Sequence, residues 1–312
     1  MRIVFAGTPA VAVPTLRALA ASGHEIVAVV TREDAPLGRK RVLTPSPVAA
    51  AADDLGIPTI KANRIGDAET DALRELGADL GVVVAYGGIL RRPALEAPAH
   101  GWINLHFSLL PEWRGAAPVQ RAVLAGDERT GVSVFRLEEG LDTGPLHVRR
   151  EVAIDPDETA GELLERLGVD GAADVVRAVD GIADGTSIPT PQTGEPTHAA
   201  KLTGEDGRVD WALDAPLVHA RIRGATPEPG AWTTLDDARF KILRAARADA
   251  STAASTPALA GLAPGAVTVH AKRVYVGTGG DPLELVEVQP SGKKAMRAID
   301  WARGTGEGTV FA

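Results

Sequence analysis

Residues 80–85 read LGVVVA, with no polar side chain and three valines in a row. A strand with one face in water alternates apolar and polar residues, and this one does not. A continuous β-branched run is expected of a strand buried on both faces, as inside a parallel sheet covered by helices. The surrounding segments fit that frame. Residues 2–6 and 25–30 are strand-like apolar runs, 58–60 a short third, and 102–105 and 131–137 two more; helical spacing intervenes at 14–21 and 67–76. Strands alternating with helices predict an α/β, Rossmann-like, mostly parallel sheet with right-handed crossovers. From 159 to 182, Leu163, Leu164, Leu167, Val175, Val176 and Val179 fall on one helical face, with Gly168 and Gly171 as candidate interruptions.

The pattern changes after residue 188. Residues 189–205 (PTPQTGEPTHAAKLTGE) hold three prolines, two glycines and little apolar content, which marks a linker. Beyond it no long helical pattern is evident. Short β-like pieces at 231–234, 240–245, 266–270, 273–276 and 283–289 predict a small, OB-like β-barrel. Residues 245–264, rich in Ala, Ser, Thr and Pro, read as a mobile loop. The expected organisation is therefore a domain over 1–188, a linker over 189–205 and a barrel over 206–312. A length of 312 residues suits two domains.

Composition narrows the chemistry. There is no cysteine, so disulfides, thiolate metal sites and cysteine nucleophiles are excluded. The opening MRIVFAGTP is too short an apolar run for a signal peptide, and nowhere do 18 apolar residues follow one another, so a cytoplasmic protein without a membrane partner is expected. The G-T-P at 7–9 invites a dinucleotide reading, but G-x-G-x-x-G is absent after the first strand. The net charge of −8 is uneven: residues 1–205 carry 20 basic and 29 acidic side chains, residues 206–312 carry 13 and 12. A polyanion would have to meet local basic clusters. Two exist: Arg39, Lys40 and Arg41, and Lys293, Lys294 and Arg297 with Arg303 nearby. On the residues alone, solvated surface charge is the favoured reading of each.

The most informative stretch is NLHFSLLP at 104–111, which follows the strand expected at 102–105. Ligands in open α/β sheets bind beyond the carboxyl ends of strands. Asn104 and His106, two apart, project from the same side of an extended chain. A carboxamide and an imidazole there could both donate to one oxygen, as an oxyanion developing on a carbonyl requires. Taken alone the triplet is weak evidence, and a structural histidine is the better reading. In GVSVFRLEEGLDTGPL (131–146) a strand runs into a loop with Asp142 between Gly140 and Gly144. An aspartate beside His106 would orient the ring and raise its pKa; an aspartate capping its own turn is the alternative. The seven histidines show no H-E-x-x-H or H-x₃-H pattern, and no metal site is expected.

Together these pieces resemble the 10-formyltetrahydrofolate-dependent formyltransferases. The matching segments are RIVFAGTPAVAVPTLRAL (2–19), TPSPV (44–48), VVVAYGGIL (82–90), INLHFSLLPEWRGAAPVQRA (103–122), GVSVFRLEEGLDTGPL (131–146), KLTGEDGRVDW (201–211), IRGATPEPGAWT (222–233) and VQPSGKKAM (288–296). The basic loop and the C-terminal pieces narrow the resemblance to the tRNA branch. It implies Asn104, His106 and Asp142 as a catalytic trio. It implies a folate site lined by Ser108, Leu109, Leu110 and Pro111 and by the 86–90 loop with Tyr86 and Leu90. It implies that Arg39, Lys40 and Arg41 meet the acceptor end of a charged initiator tRNA, and that Lys293, Lys294 and Arg297 hold its backbone. Ala10, Val11, Arg91 and Glu112 depart from the family pattern.

The implied reaction moves a formyl group from 10-formyltetrahydrofolate, a co-substrate, to the amine of methionyl-tRNA. The amine attacks directly, Asn104 and a protonated His106 stabilise the oxyanion, and Asp142 keeps His106 cationic. No metal and no obligate protein partner are implied. A sugar-nucleotide or glycinamide-ribonucleotide formyltransferase, a formyl-folate hydrolase and a silent RNA-binding relative are the competing readings.

Overall fold

The computed structural model describes residues 1–38, 40–248, 259–305 and 308–312. Two compact units are formed: one from Met1–Pro118, Thr130–Val152 and Leu164–Ala199, the other from Val119–Arg129, Ala153–Leu163 and Ala200–Ala312.

The first unit is built on eleven strands in chain order: β1 (Arg2–Gly7), β2 (Glu25–Thr31), β3 (Ala35–Leu37), β4 (Val42–Thr44), β5 (Thr59–Lys61), β6 (Leu80–Val84), β7 (Trp102–His106), β8 (Arg114–Gly115), β9 (Arg129–Arg136), β10 (Leu146–Ala153) and β11 (His198–Ala199). Seven form one sheet in the order β10-β9-β7-β6-β1-β2-β5. The stretch from β5 to β7 is parallel, and β9 runs antiparallel to β7. β6 is buried at every position, as its valine run demands. Helix α1 (Val13–Ala20) and helix α2 (Pro47–Asp54) carry the crossovers at this end of the sheet. The Ser46 hydroxyl caps α2 by accepting from the Ala49 amide at 3.0 Å, and Pro47 supplies the preset φ of a first helical turn.

Residues 160–183 form one helix, Ala160–Ala183, with no break at either glycine. The glycines serve packing. A Cβ on Gly168 would lie 2.5 Å from Val11 Cγ2, and one on Gly171 would lie 3.2 Å from both Leu105 methyls. The absent side chains let this helix lie directly on β7, the strand that carries Asn104 and His106. Among the described residues no helix is long and apolar enough to cross a membrane.

The second unit holds β12 (Ala231–Leu235), β13 (Ala238–Arg247), β14 (Val267–His270), β15 (Arg273–Val276), β16 (Leu283–Gln289) and β17 (Met296–Arg297). The sheet runs β12-β13-β16-β15-β14, with β17 on β16, and its pairs are antiparallel. Residues 309–312 close it. Thr234 and Ala312 exchange amide–carbonyl bonds at 3.2 and 3.0 Å, while Val267 donates to Thr309 and Phe311 to Gly265, both at 2.9 Å. One short segment thus bonds to both edges of the sheet, the closure a small barrel needs. Phe311 packs inside against Trp211, Phe240 and Trp301, with ring centroids 4.9–5.7 Å away.

A helix at Ala215–Ala225 also belongs to this unit, and the sequence pattern did not predict it. Eight of its eleven residues are buried, His219 and Arg223 among them. The Arg223 guanidinium donates to the Glu158 carbonyl at 3.0 Å, and His219 Nε2 donates to the Ala245 carbonyl at 3.1 Å. A helix buried on nearly all sides presents no polar face, so the usual periodic signal is missing. The loop reading over 245–264 falls partly on β13 and partly on residues 249–258, which lie outside the described residues.

Candidate active site

The carboxyl ends of β6 and β7 open into a cavity of about 610 Å³ within the first unit. Its wall is largely apolar, with Val83, Leu90, Leu95, Leu137 and the ring of Tyr86. Ile89 and Leu141, 81% and 60% exposed, stand at its margin. Asn104, His106 and Asp142 all line it, as do Glu138 and Glu139. A large apolar cleft with a few convergent polar groups is the usual form of a small-molecule site.

β7 delivers two of these groups through strand geometry. Asn104 sits opposite Phe135 and His106 opposite Ser133, so both face the same way. Asn104 is half-buried and His106 is 5% exposed. The Asp142 loop brings the third group: its Oδ2 lies 3.8 Å from His106 Nδ1 and accepts from the Gly115 amide at 2.7 Å. Gly115 has φ +125°, and a Cβ there would lie 2.8 Å from the Ala199 carbonyl oxygen, so no larger residue can present that amide.

A main-chain bond sets the tautomer of His106. His106 Nε2 lies 2.9 Å from the Trp113 carbonyl oxygen. A carbonyl only accepts, so Nε2 carries a hydrogen and Nδ1 is the nitrogen that gains or loses one. Burial pushes the imidazole pKa below its ordinary 6.5, with the Asp142 charge and the Trp113 bond opposing. Nδ1, the nitrogen that titrates, faces the Asp142 carboxylate.

The residues expected from the resemblance to line a folate site are divided with respect to this cavity. Tyr86 and Leu90 line the cavity. The Tyr86 hydroxyl donates to the Ala62 carbonyl at 2.6 Å, so the tyrosine contributes its ring face. Ser108, Leu109, Leu110 and Pro111 do not line it. They form a buried turn behind His106: the Ser108 hydroxyl donates to the Glu112 carbonyl at 2.5 Å, and Ser133 Oγ bridges the Ser108 carbonyl and the Leu110 amide. None of Ala10, Val11, Arg91 and Glu112 lines it either.

Of the basic residues, Lys40 and Arg41 lie at the tip of the β3–β4 hairpin, whose register pairs Leu37 with Val42; Arg39 lies outside the described residues. Leu37, Val42 and Leu43 on the hairpin are 60–68% exposed. Lys293 and Lys294 are exposed on the turn between β16 and β17. Arg297 is engaged by Asp300 through two bonds of 2.7 and 3.0 Å. Among the described residues no group of three His, Asp or Glu side chains could hold a metal ion.

Sequence reasoning missed Trp113, Gly115 and Gln192. The first two act through backbone atoms, which leave no residue-type signature. Gln192, in the segment read as a linker, donates to the Asp142 and Gly144 carbonyls. That segment is bonded at several points: Thr190 pairs with Leu146, and β11 pairs with β8.

With this geometry in hand, similarity to known proteins is informative. Residues 1–179 match the family model described as formyl transferase, and residues 201–306 match that of the formyl transferase C-terminal domain. A methionyl-tRNA formyltransferase of Clavibacter sepedonicus is 57% identical over 312 residues, covering 100% of both chains. One of Paenarthrobacter aurescens is 53% identical, again over 100% of each. The solved structure of the Clostridium thermocellum methionyl-tRNA formyltransferase has the same fold, at 17% identity and a TM-score of 0.58, covering 80% of this chain and 95% of that one.

Proposed function

The chain belongs to the formyl transferase family, and from that premise we propose that it transfers the formyl group of 10-formyltetrahydrofolate to the free amino group of methionyl-tRNA, the initiator species. The observation that carries this reading is the convergence of Asn104, His106 and Asp142 at the polar end of one apolar cavity. The apolar wall suits the flat ring system of a folate, and the polar end suits its formyl group. Aminoacylated tRNA is a cytoplasmic substrate, and the cytoplasm is the corresponding place of action.

The amine attacks the formyl carbon, and charge develops on the formyl oxygen. The Asn104 carboxamide donates to that oxygen; one such donor typically contributes about 10²–10³ in rate. His106 begins neutral. Its Nδ1 takes the proton that the attacking amine must lose, and the imidazolium so formed donates from the same nitrogen. Asp142 stabilises that cation and is itself held by the Gly115 amide. The leaving nitrogen on the folate then recovers the proton. No side-chain nucleophile is required, and Ser108, whose hydroxyl is bonded to the Glu112 carbonyl, has no part in the chemistry. Lys40, Arg41, Lys293 and Lys294 are assigned to RNA phosphates, with Arg39 alongside them by its place in the sequence.

The test is formylation by the full chain with formyl-folate and three acceptors: charged initiator tRNA, charged elongator tRNA and an amino-sugar nucleotide. Preference for initiator tRNA supports the reading. Transfer to the sugar nucleotide with none to tRNA overturns it.

A further inference from the structure

We propose that Gln192 is a positioning residue for formyl transfer, holding the Asp142 carboxylate in register with His106. The inference rests on the proposed reaction of the site. Gln192 does not line the cavity; it acts through the groups that do.

The Gln192 carboxamide is fully engaged. Its Nε2 donates to the Asp142 carbonyl at 2.7 Å and the Gly144 carbonyl at 2.8 Å. Its Oε1 accepts from Arg114 Nε at 3.2 Å and from a terminal guanidinium nitrogen at 2.6 Å. One side chain therefore ties together two segments distant in sequence. The first segment carries Asp142. The second supplies both main-chain contacts of the pair: the Gly115 amide on Asp142 Oδ2 and the Trp113 carbonyl on His106 Nε2.

Two further observations call for such a tie. Asp142 has φ +52°, a left-handed conformation that few non-glycine residues adopt, although aspartate does so more readily than most. The separation it must maintain, 3.8 Å from Oδ2 to Nδ1, is longer than a hydrogen bond, so no direct bond locks the pair. Orientation must come from elsewhere, and residues 190–199 supply it. Besides Gln192, Thr197 accepts from the Trp113 amide through its hydroxyl at 2.8 Å and from the Arg114 amide through its carbonyl at 2.9 Å, and Ala199 accepts from the Ala116 amide at 2.9 Å. Thr197 and Ala199 secure the 113–116 side, and Gln192 reaches across to the carbonyls of Asp142 and Gly144.

The experiment is a double-mutant cycle in the full chain. Gln192→Ala is expected to lower kcat about 10- to 100-fold, the scale of a misplacement of about 1 Å, with the folate KM within about twofold and little change in melting temperature. Gln192→Glu keeps the acceptor for Arg114 but loses both donors, and is expected to show the same kcat loss. In an Asp142→Asn background neither change should cost more, because the charge being positioned is gone. In parallel, nuclear magnetic resonance follows the His106 ring: in Gln192→Ala its titration midpoint should fall as the carboxylate recedes. Equal kcat losses in both backgrounds with an unmoved ring titration would overturn the proposal, as would a kcat loss that tracks lost folded protein. Should the unaltered chain transfer no formyl group, the functional reading falls, and the ring titration still decides the role of Gln192.

Discussion

His106 gives its Nε2 hydrogen to the Trp113 carbonyl at 2.9 Å, and that one bond leaves Nδ1 as the reactive nitrogen of the ring. A histidine fixed in this way acts as a base when neutral and as a donor toward the cavity only after it has taken a proton.

The sign of the pH dependence follows. Burial holds the His106 pKa below 6.5, so the neutral base is lost as pH falls through that lowered value. kcat/KM should rise with pH along an acid limb below 6.5 that belongs to His106. The acceptor amine sets a separate limb nearer the ordinary α-amino value of about 8. His106→Asn should abolish the acid limb and keep the amine limb. A rate that instead falls as pH rises through the His106 pKa would restore the cationic-histidine mechanism. The pH–rate profile under single-turnover conditions decides.

Asn104 and Asp142 should separate by the kind of loss. Asn104→Ala removes a donor to the developing charge and should lower kcat about 10²–10³-fold with the folate KM little changed. Asp142→Asn keeps an acceptor for the Gly115 amide but removes the charge that stabilises the imidazolium. It should cost at least about 10²-fold in kcat and move the acid limb to still lower pH. Either variant retaining near-full activity while folded would remove that residue from the mechanism.

A stability prediction comes from the β6–β7 pair that carries the site. A Cβ on Gly81 would fall 2.1 Å from the Trp102 ring, which is 1% exposed and anchored by its Nε1 donating to the Ala94 carbonyl at 2.8 Å. The ring has nowhere to move without breaking that bond. Gly81→Ala should destabilise the protein by about 1–3 kcal/mol through overpacking, read as a lowered denaturant midpoint with an unchanged slope. An unchanged midpoint would mean that the ring relocates freely.

How far the sequence could be read follows from which groups leave a side-chain signature. The valine run placed β6 because burial on both faces selects residue type at every position. The N-x-H triplet placed two cavity groups because strand alternation is local. The helix at Ala215–Ala225 escaped because burial around its circumference erases amphipathic periodicity. Ser108–Pro111 are expected in a folate lining from a motif, whereas the buried turn they form is tied by bonds from Ser108 and Leu110 to Ser133, 25 and 23 residues away along the chain. Trp113 and Gly115 act through main-chain atoms, and a polar, proline-rich segment such as 189–205 reads as a linker unless its long-range bonds are known.

The last prediction concerns how a chain of net charge −8 holds a polyanion. Overall charge gives no favourable steering, so affinity must come from a few phosphate contacts, each adding to the salt dependence. The two C-terminal candidates differ in availability. Lys293 and Lys294 are exposed on a turn, whereas Arg297 is paired with Asp300 through two short bonds and must give up that partner to meet a phosphate. Lys293→Ala and Lys294→Ala should each weaken binding of any tRNA and flatten the slope of log affinity against log salt by somewhat under one unit. Arg297→Ala should have a smaller effect. Lys40 and Arg41 sit at a hairpin tip beside exposed Leu37, Val42 and Leu43, so their substitution, with that of Arg39, should lower kcat/KM for initiator tRNA while leaving folate binding unchanged. Filter binding across a salt series, with formylation kinetics on the same variants, separates the two sets. If neither cluster changes tRNA formylation or its salt slope, both are surface charge, and a small amine becomes the better acceptor.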